Sequence, residues 1–177
     1  MFHRTQRLFL RPIWPEDWQA IYNGICDEGV VRNLARAPWP YQREHARDFA
    51  TRPHDPASPT WLITIPESAE LVGCIGIDPH EGEIELGYWI ARPHWSKGYA
   101  TEAGQAVLEM VQMMGHCQII ASHYVDNPAS GRVLRKLGFR PTGQSAKRMS
   151  LGRGQAVEAT DYALFLGSIP TESLRAA

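Results

Sequence analysis

The clearest signal along the chain is the stretch Gly82 to Ala91 (GEIELGYWIA), in which apolar and polar positions alternate. Ile84, Leu86, Tyr88 and Ile90 fall on one face, and Glu83, Glu85 and Trp89 on the other. A period of two is that of a half-buried strand. From Ala100 the period lengthens: Ala100, Ala103, Gly104, Val107, Leu108, Val111 and Met114 form one stripe, with Glu102, Gln105, Glu109 and Gln112 opposite, which predicts a helix lying on a core. Upstream, Arg7 to Ile13 predicts a short strand with Leu8 and Leu10 inward. Trp14-Pro15-Glu16-Asp17 opens a helix with proline and acids in its first turn. A second short helix is expected around Glu44 to Thr51. Thr60 to Ile65 and Leu71 to Ile77 are β-rich runs joined by Pro66 to Glu70, as in a hairpin. Downstream come a strand from Gln118 to Val125 and a helix from Pro128 to Leu137 stopped by Gly138. Two further strands follow, Phe139 to Gln144 and Ala156 to Leu166, with the Gly152-Arg153-Gly154 turn between them. This order describes a mixed α/β sandwich with one central sheet.

The 177 residues suit a single domain over 1–177. Eighteen basic against nineteen acidic side chains leave a net charge of −1, which speaks against nucleic acid or an anionic membrane as the partner. Cys26, Cys74 and Cys117 stand far apart and form no CxxC, a pattern of reduced thiols. No HExxH is present, so no metal is expected. The longest run without a charged residue, Met110 to Val125, is too short to cross a bilayer, and Met1 to Trp14 lacks a signal-peptide core; a cytoplasmic protein is expected.

Candidate chemistry collects at two turns. In Ile90-Ala91-Arg92-Pro93-His94-Trp95-Ser96-Lys97-Gly98-Tyr99-Ala100-Thr101 the best strand runs into the best helix through small residues, and Lys97 lies among them. Such a corner lets backbone N–H groups at a helix N-terminus approach a phosphate, though a plain strand-to-helix corner would also use Gly and Pro. In Asp126-Asn127-Pro128-Ala129-Ser130-Gly131, Asn127 is a strong N-cap before Pro128, and Ser130 lies one turn in, at the helix mouth. The Pro38-Trp39-Pro40-Tyr41 run is too stiff and aromatic for a mere linker.

Taken together, in this order and about 30 residues apart, WSKGYATEA and NPASGRVLRKLGF resemble the two acyl-CoA motifs of the GNAT superfamily of N-acetyltransferases. With RLFLRPI, PWPY and ELGYWI the likeness covers essentially the whole chain and points to the RimJ/RimL-like branch. The resemblance implies a mixed central sheet of about seven strands, splayed between the fourth and fifth, Glu83 to Ala91 and Gln118 to Val125, and flanked by about four helices. It implies acetyl-CoA as co-substrate and no metal. The acceptor would be an amine, a protein N-terminus or a small molecule, and the protein a monomer or homodimer.

By the same resemblance, backbone N–H groups of Ser96, Lys97, Gly98, Tyr99, Ala100 and Thr101 would cradle the CoA pyrophosphate, with Lys97, Arg92 or Lys136 assisting. Ile90, Ala91 and Arg92 would pair with the pantetheine arm like an extra strand. Asn127 and Ser130 would reach pantetheine and thiol, and an N–H near Ile90 would serve the oxyanion. Trp95 stands where the superfamily has Gln or Arg. Leu134 stands where many members carry a Tyr that protonates the leaving thiolate, which leaves Ser130 to supply a hydrogen bond there. Glu85 is the first candidate for the base, and Glu83 its competitor should a bulge shift the strand's parity. Trp39 and Tyr41 would wall an acceptor slot beside Trp89. Two rival readings are a non-catalytic acyl-CoA-binding module and an aminoglycoside-type drug acetyltransferase, the latter unsupported by the near-neutral balance.

Overall fold

The computed structural model describes residues 1–53 and 55–167; the tail of the domain expected over 1–177 lies outside the described residues. The strands are β1 (His3–Arg4), β2 (Phe9–Pro12), β3 (Thr60–Thr64), β4 (Leu71–His80), β5 (Glu83–Ile90), β6 (Gln118–Tyr124), β7 (Arg140–Ser150) and β8 (Gln155–Phe165). The helices are α1 (Trp18–Ile25), α2 (Glu28–Val31), α3 (Arg43–Thr51), α4 (Tyr99–Met113) and α5 (Pro128–Lys136). All eight strands join one sheet, ordered β1-β2-β3-β4-β5-β6-β8-β7. Among the described residues no helix is long and apolar enough to cross a membrane, and no cluster of His, Cys, Asp and Glu is placed to hold a metal ion.

The expected mixed sheet is present, with one more strand and one more helix than anticipated. The added strand is the two-residue β1. The added helix is the single turn α2, capped by the Asp27 carboxylate, which accepts from Val30 N at 3.2 Å. β7 also runs to Ser150, well past Gln144; its later residues are mostly polar and exposed, so they carry no apolar period.

The sheet is nearly two sheets. β4 and β5 pair without interruption from Gly73↔Ile90 to His80↔Glu83, and β6 pairs with β8 along its whole length. Between these halves β5 and β6 run parallel and share a single paired position, Glu85↔Ile120. Beyond it they part, leaving their C-terminal ends splayed. Backbone groups along the gap are therefore unpaired, and in a folded chain such groups need another partner.

The two faces bury different clusters. Leu8, Leu10, Ile75, Leu86 and Ile90 pack with α4 and α5 through Val107, Met110, Val111 and Leu134. Opposite, Leu62, Cys74 and Trp89 pack with Ile21 and Ile25 of α1, Val30 and Val31 of α2, and Ala46 and Ala50 of α3. The strand parity read from Glu83 to Ile90 holds: Leu86 and Ile90 face one layer and Trp89 the other.

Gly73 sets how closely β4 and β5 approach. A Cβ built there would lie 2.2 Å from the Trp89 carbonyl oxygen, a backbone atom with no freedom to step aside. Gly73→Ala is expected to destabilise the fold by about 2 kcal/mol or more through overpacking at an inner strand pair. Urea unfolding is the measurement, and a midpoint equal to that of the parent would contradict this.

Candidate active site

The turn from β5 into α4 is built to present N–H groups. Ser96 and Gly98 both take positive φ, +62° and +82°, on either side of Lys97. Successive N–H groups in such a turn converge into an anion-binding concavity. Gly98 is also the N-cap of α4, with no side-chain cap bond. Among the described residues, the N–H groups of Ser96, Lys97, Gly98, Tyr99 and Ala100 have no backbone acceptor. Thr101 lines the cavity but departs from what its motif position implied: its N–H donates to Gly98 O at 3.1 Å.

From this turn one cavity of about 1070 Å³ runs through the splay to the opposite face of the sheet. Ser96, Gly98, Tyr99, Ala100, Thr101, Asn127, Ser130 and Lys136 line one end, and Tyr41, His45, Asp48, Phe49, Cys74 and Asp78 the other, with Glu85, Tyr88 and Ile90 between. The Ala91 N–H donates to Val72 O at 2.8 Å. Hydrogen bonding in an antiparallel ladder alternates, so odd residues of β5 face β4 and even residues, Leu86, Tyr88 and Ile90, face the gap. The Ile90 carbonyl is taken by the Trp95 indole N–H at 2.6 Å, which leaves the Ile90 N–H for a ligand. Trp95 thus has a structural job that its motif position did not announce.

Of the residues expected to hold a cofactor, the structure brings most together and leaves aside Ala91, Arg92 and the side chain of Lys97. Ala91 spends its N–H on β4. Arg92 does not line the cavity; its guanidinium lies 3.3 Å from Asp27 at the start of α2 and 5.4 Å over the Trp95 ring. The Lys97 side chain is exposed on the loop and does not line the cavity, so Arg132 and Lys136 of α5 are the cations at this end. Asn127 caps α5, its side-chain oxygen accepting from Ser130 N at 3.4 Å, and lines the cavity as well.

Ser130 Oγ lies 2.7 Å from the Tyr88 hydroxyl. Tyr88 belongs to the apolar face of β5, and no sequence pattern signals that its phenol meets α5. Burial pushes the Tyr88 hydroxyl up to about 12, against the opposing effect of the Ser130 bond. The phenol therefore keeps its proton at any working pH. The two hydroxyls share one hydrogen bond, which fixes the serine hydroxyl at the mouth of α5.

Glu85 faces the middle of the cavity, its side chain 24% exposed. Ser122 Oγ on β6 donates to Glu85 Oε1 at 2.8 Å, and Arg148 Nη1 of β7 stands 3.7 Å from the same oxygen. Arg148 is in turn held by Asp161 Oδ1 at 2.8 Å and by His80 Nε2 at 3.0 Å. Glu83, the competitor, is exposed, bonded to Gln118 and outside the cavity, because β5 carries no bulge that would exchange the two.

At the far end Tyr41 and Trp89 are both buried and both line the cavity, whereas Trp39 is 38% exposed and does not. The aromatic slot therefore forms from Tyr41 and Trp89, joined by Phe49 of α3 in place of Trp39. Cys74 also opens here, but burial raises its thiol to about 12, so it is no nucleophile at neutral pH.

Comparison with known proteins gives the family. The family model described as "Acetyltransferase (GNAT) domain" matches residues 7–140, and the chain belongs to that family of acetyltransferases. One relative is the uncharacterized N-acetyltransferase YnaD of Bacillus subtilis (strain 168), 32% identical over 143 residues that span 78% of this chain and 82% of that protein. Among solved structures, a GNAT-family acetyltransferase from Bacillus anthracis superimposes with a TM-score of 0.81 at 27% identity, covering 94% of this chain and 99% of the other. RimL, described as a ribosomal L7/L12 alpha-N-protein acetyltransferase in complex with coenzyme A, has a TM-score of 0.76 at 19% identity, over 93% and 98% of the two chains.

Proposed function

We propose that this acetyltransferase, a single domain over 1–177, moves the acetyl group of acetyl-CoA onto a primary amine, a protein N-terminal α-amine or a small-molecule amine, by direct attack on the thioester. The observation that carries the reading is the single cavity crossing the splay, with N–H donors at one end, a carboxylate midway and an aromatic slot at the other. The pyrophosphate of the co-substrate is held by the N–H groups of Ser96 to Ala100 with Lys136. Its pantetheine lies along the free edge of β5, and the acetyl carbonyl accepts from the Ile90 N–H.

The amine must be neutral to attack. An α-amino group near pKa 7.7–8.0 is roughly a tenth neutral at pH 7, a lysine less than a thousandth. Glu85 takes the ammonium proton, the nitrogen bonds to the carbonyl carbon, and the resulting oxyanion is held at Ile90. Collapse breaks the carbon–sulfur bond, and the second proton of the attacking nitrogen passes through solvent to the departing thiolate, so that an amide and a free thiol result. A thiol of pKa about 8.5 leaves acceptably as thiolate, helped by the Ser130 hydroxyl that Tyr88 orients, so Leu134 in place of a tyrosine is no obstacle. Tyr88→Phe is expected to lower kcat roughly fivefold to tenfold, the worth of one hydrogen bond, with both KM values unchanged. Steady-state kinetics read this, and an undiminished kcat would remove Tyr88 from the step.

Among acceptors, the RimJ/RimL-like branch is favoured by the motifs and by the likeness to RimL. Away from the co-substrate end, Arg36, Arg52 and Arg148 balance Asp48, Asp78 and Glu85 along the cavity walls, so no acidic excess is present to favour a polycationic aminoglycoside. A non-catalytic binding module has no need of a carboxylate held by Ser122 and Arg148 in mid-cavity. Thiol release measured across panels of N-terminal peptides, amino acids and aminoglycosides tests the assignment. Amine-dependent release with the first or second panel is expected, and release independent of every amine would overturn it.

A further inference from the structure

Arg7 and Glu102 are 95 residues apart in sequence, and the fold joins them behind the pyrophosphate loop. Arg7 Nε donates to Glu102 Oε2 at 2.7 Å, Arg7 Nη2 lies 2.6 Å from the same oxygen, and the Arg7 backbone N–H donates to Oε1 at 2.8 Å. Thr5 Oγ1 donates to Oε1 at 2.6 Å. One guanidinium nitrogen remains, and Nη1 donates to the Lys97 carbonyl at 3.0 Å, while the guanidinium carbon sits 4.8 Å over the Tyr99 ring. Lys97 is the residue flanked by the two positive-φ positions, so the direction of its peptide decides whether the neighbouring N–H groups point into the concavity.

Glu102 itself needs explanation. It stands in the first turn of α4, beside the place where an anion is expected. Its carboxyl is driven up by burial but is held below the ordinary glutamate range by the bonds from Thr5 and Arg7, so it carries full charge. A bare carboxylate here would repel a phosphate, and Arg7 cancels it. The Arg7 side chain is half exposed and Glu102 largely buried, and the Arg7 Nη1 bond to the loop carbonyl is one that pairing with Glu102 alone does not require.

We propose that Arg7 and Glu102 form a positioning pair for the co-substrate loop. Arg7 fixes the Lys97 carbonyl on the outer side and neutralises Glu102, so that the loop N–H groups meet the pyrophosphate without an opposing charge. This rests on the reading of Ser96 to Ala100 as the pyrophosphate cradle. A second cavity, of about 620 Å³, lies against the pair and shares Gly98, Thr101 and Lys136 with the first, so the outer surface of the loop is open to solvent there.

Acetyl-CoA and acetyl-pantetheine, which lacks the pyrophosphate, separate the possibilities. In the parent enzyme acetyl-CoA must be the better donor; equal kcat/KM for the two would overturn the cradle and the pair together. Arg7→Ala is expected to raise the acetyl-CoA KM about tenfold, with kcat and the acceptor KM within about threefold and acetyl-pantetheine turnover unchanged. Adding Glu102→Gln to Arg7→Ala should recover the part of that loss due to the unmatched charge and leave the part due to the unheld Lys97 carbonyl, with acetyl-pantetheine turnover still at the parent value, which loss of folded protein would not give. Arg7→Lys keeps the charge but not the fork of donors, and gives an intermediate KM even if the alanine variant folds poorly. An acetyl-CoA KM within twofold of the parent, or an equal loss with both donors, would overturn the pair while leaving the cradle standing.

Discussion

Glu85→Gln is expected to lower kcat by about 10²–10³, within the range that a positioned general base contributes, while acetyl-CoA affinity stays within about twofold. The substitution is nearly isosteric. Glutamine still accepts from Ser122 Oγ, and Arg148 keeps Asp161, so neither the strand pairing nor the neighbouring ion pair collapses. What is lost is the ability to take a proton from the incoming ammonium. Stopped assays for kcat, with calorimetry for acetyl-CoA binding, separate the two quantities. Turnover retained to within a fewfold would leave Glu85 with a purely electrostatic or structural role.

Gly98→Val is the largest change expected at the other end of the cavity. Gly98 holds φ +82°, and a Cβ there would meet nothing nearer than Arg7 Nη2 at 3.5 Å, so space is not the difficulty. The backbone is. A β-branched residue in the left-handed region costs about 1–2 kcal/mol, and the loop relieves this by turning the peptides on either side of Gly98. Acetyl-CoA affinity should fall at least about tenfold, the equivalent of 1.4 kcal/mol, with kcat at saturating acetyl-CoA nearly preserved. Unaltered affinity would mean that the loop N–H groups do not bind the pyrophosphate.

What could be read from sequence divides along a physical line. Features enforced by nearby residues were legible: the alternation over Glu83 to Ile90, the stripe of α4, the Asn127-Pro128 cap and the small residues of the turn each state a local requirement of the backbone. Gly138 at φ +93° and Gly154 at φ +63° stand where the helix stop and the last turn were expected. Features made by tertiary contact were not. Tyr88 reads as one more apolar position of β5 until the fold sets its hydroxyl against Ser130, 42 residues away. The pairing of Arg7 with Glu102 and the turning of Arg92 toward Asp27 have no sequence signature, because a charged side chain does not announce its partner. Aromaticity alone puts both Trp39 and Tyr41 in the acceptor slot, yet only the Tyr41 ring turns inward, stacking on Tyr22 with 6.5 Å between centroids and lining the cavity. α2 escaped notice because a single turn has too few residues to display a period, and its cap, Asp27, is equally at home in an ordinary loop.

In the proposed reaction an amine attacks the thioester directly, within a cavity that opens through the splay. Mixing the enzyme with acetyl-CoA in a single-turnover experiment, with and without an accepted amine, tests it most directly when free thiol, acetylated amine and intact protein mass are followed together. Thiol and acetylated amine should appear at the same rate and in equal amounts, only when the amine is present, with the protein mass unchanged. A burst of thiol before any amine is added, accompanied by an acetylated protein, would contradict direct transfer.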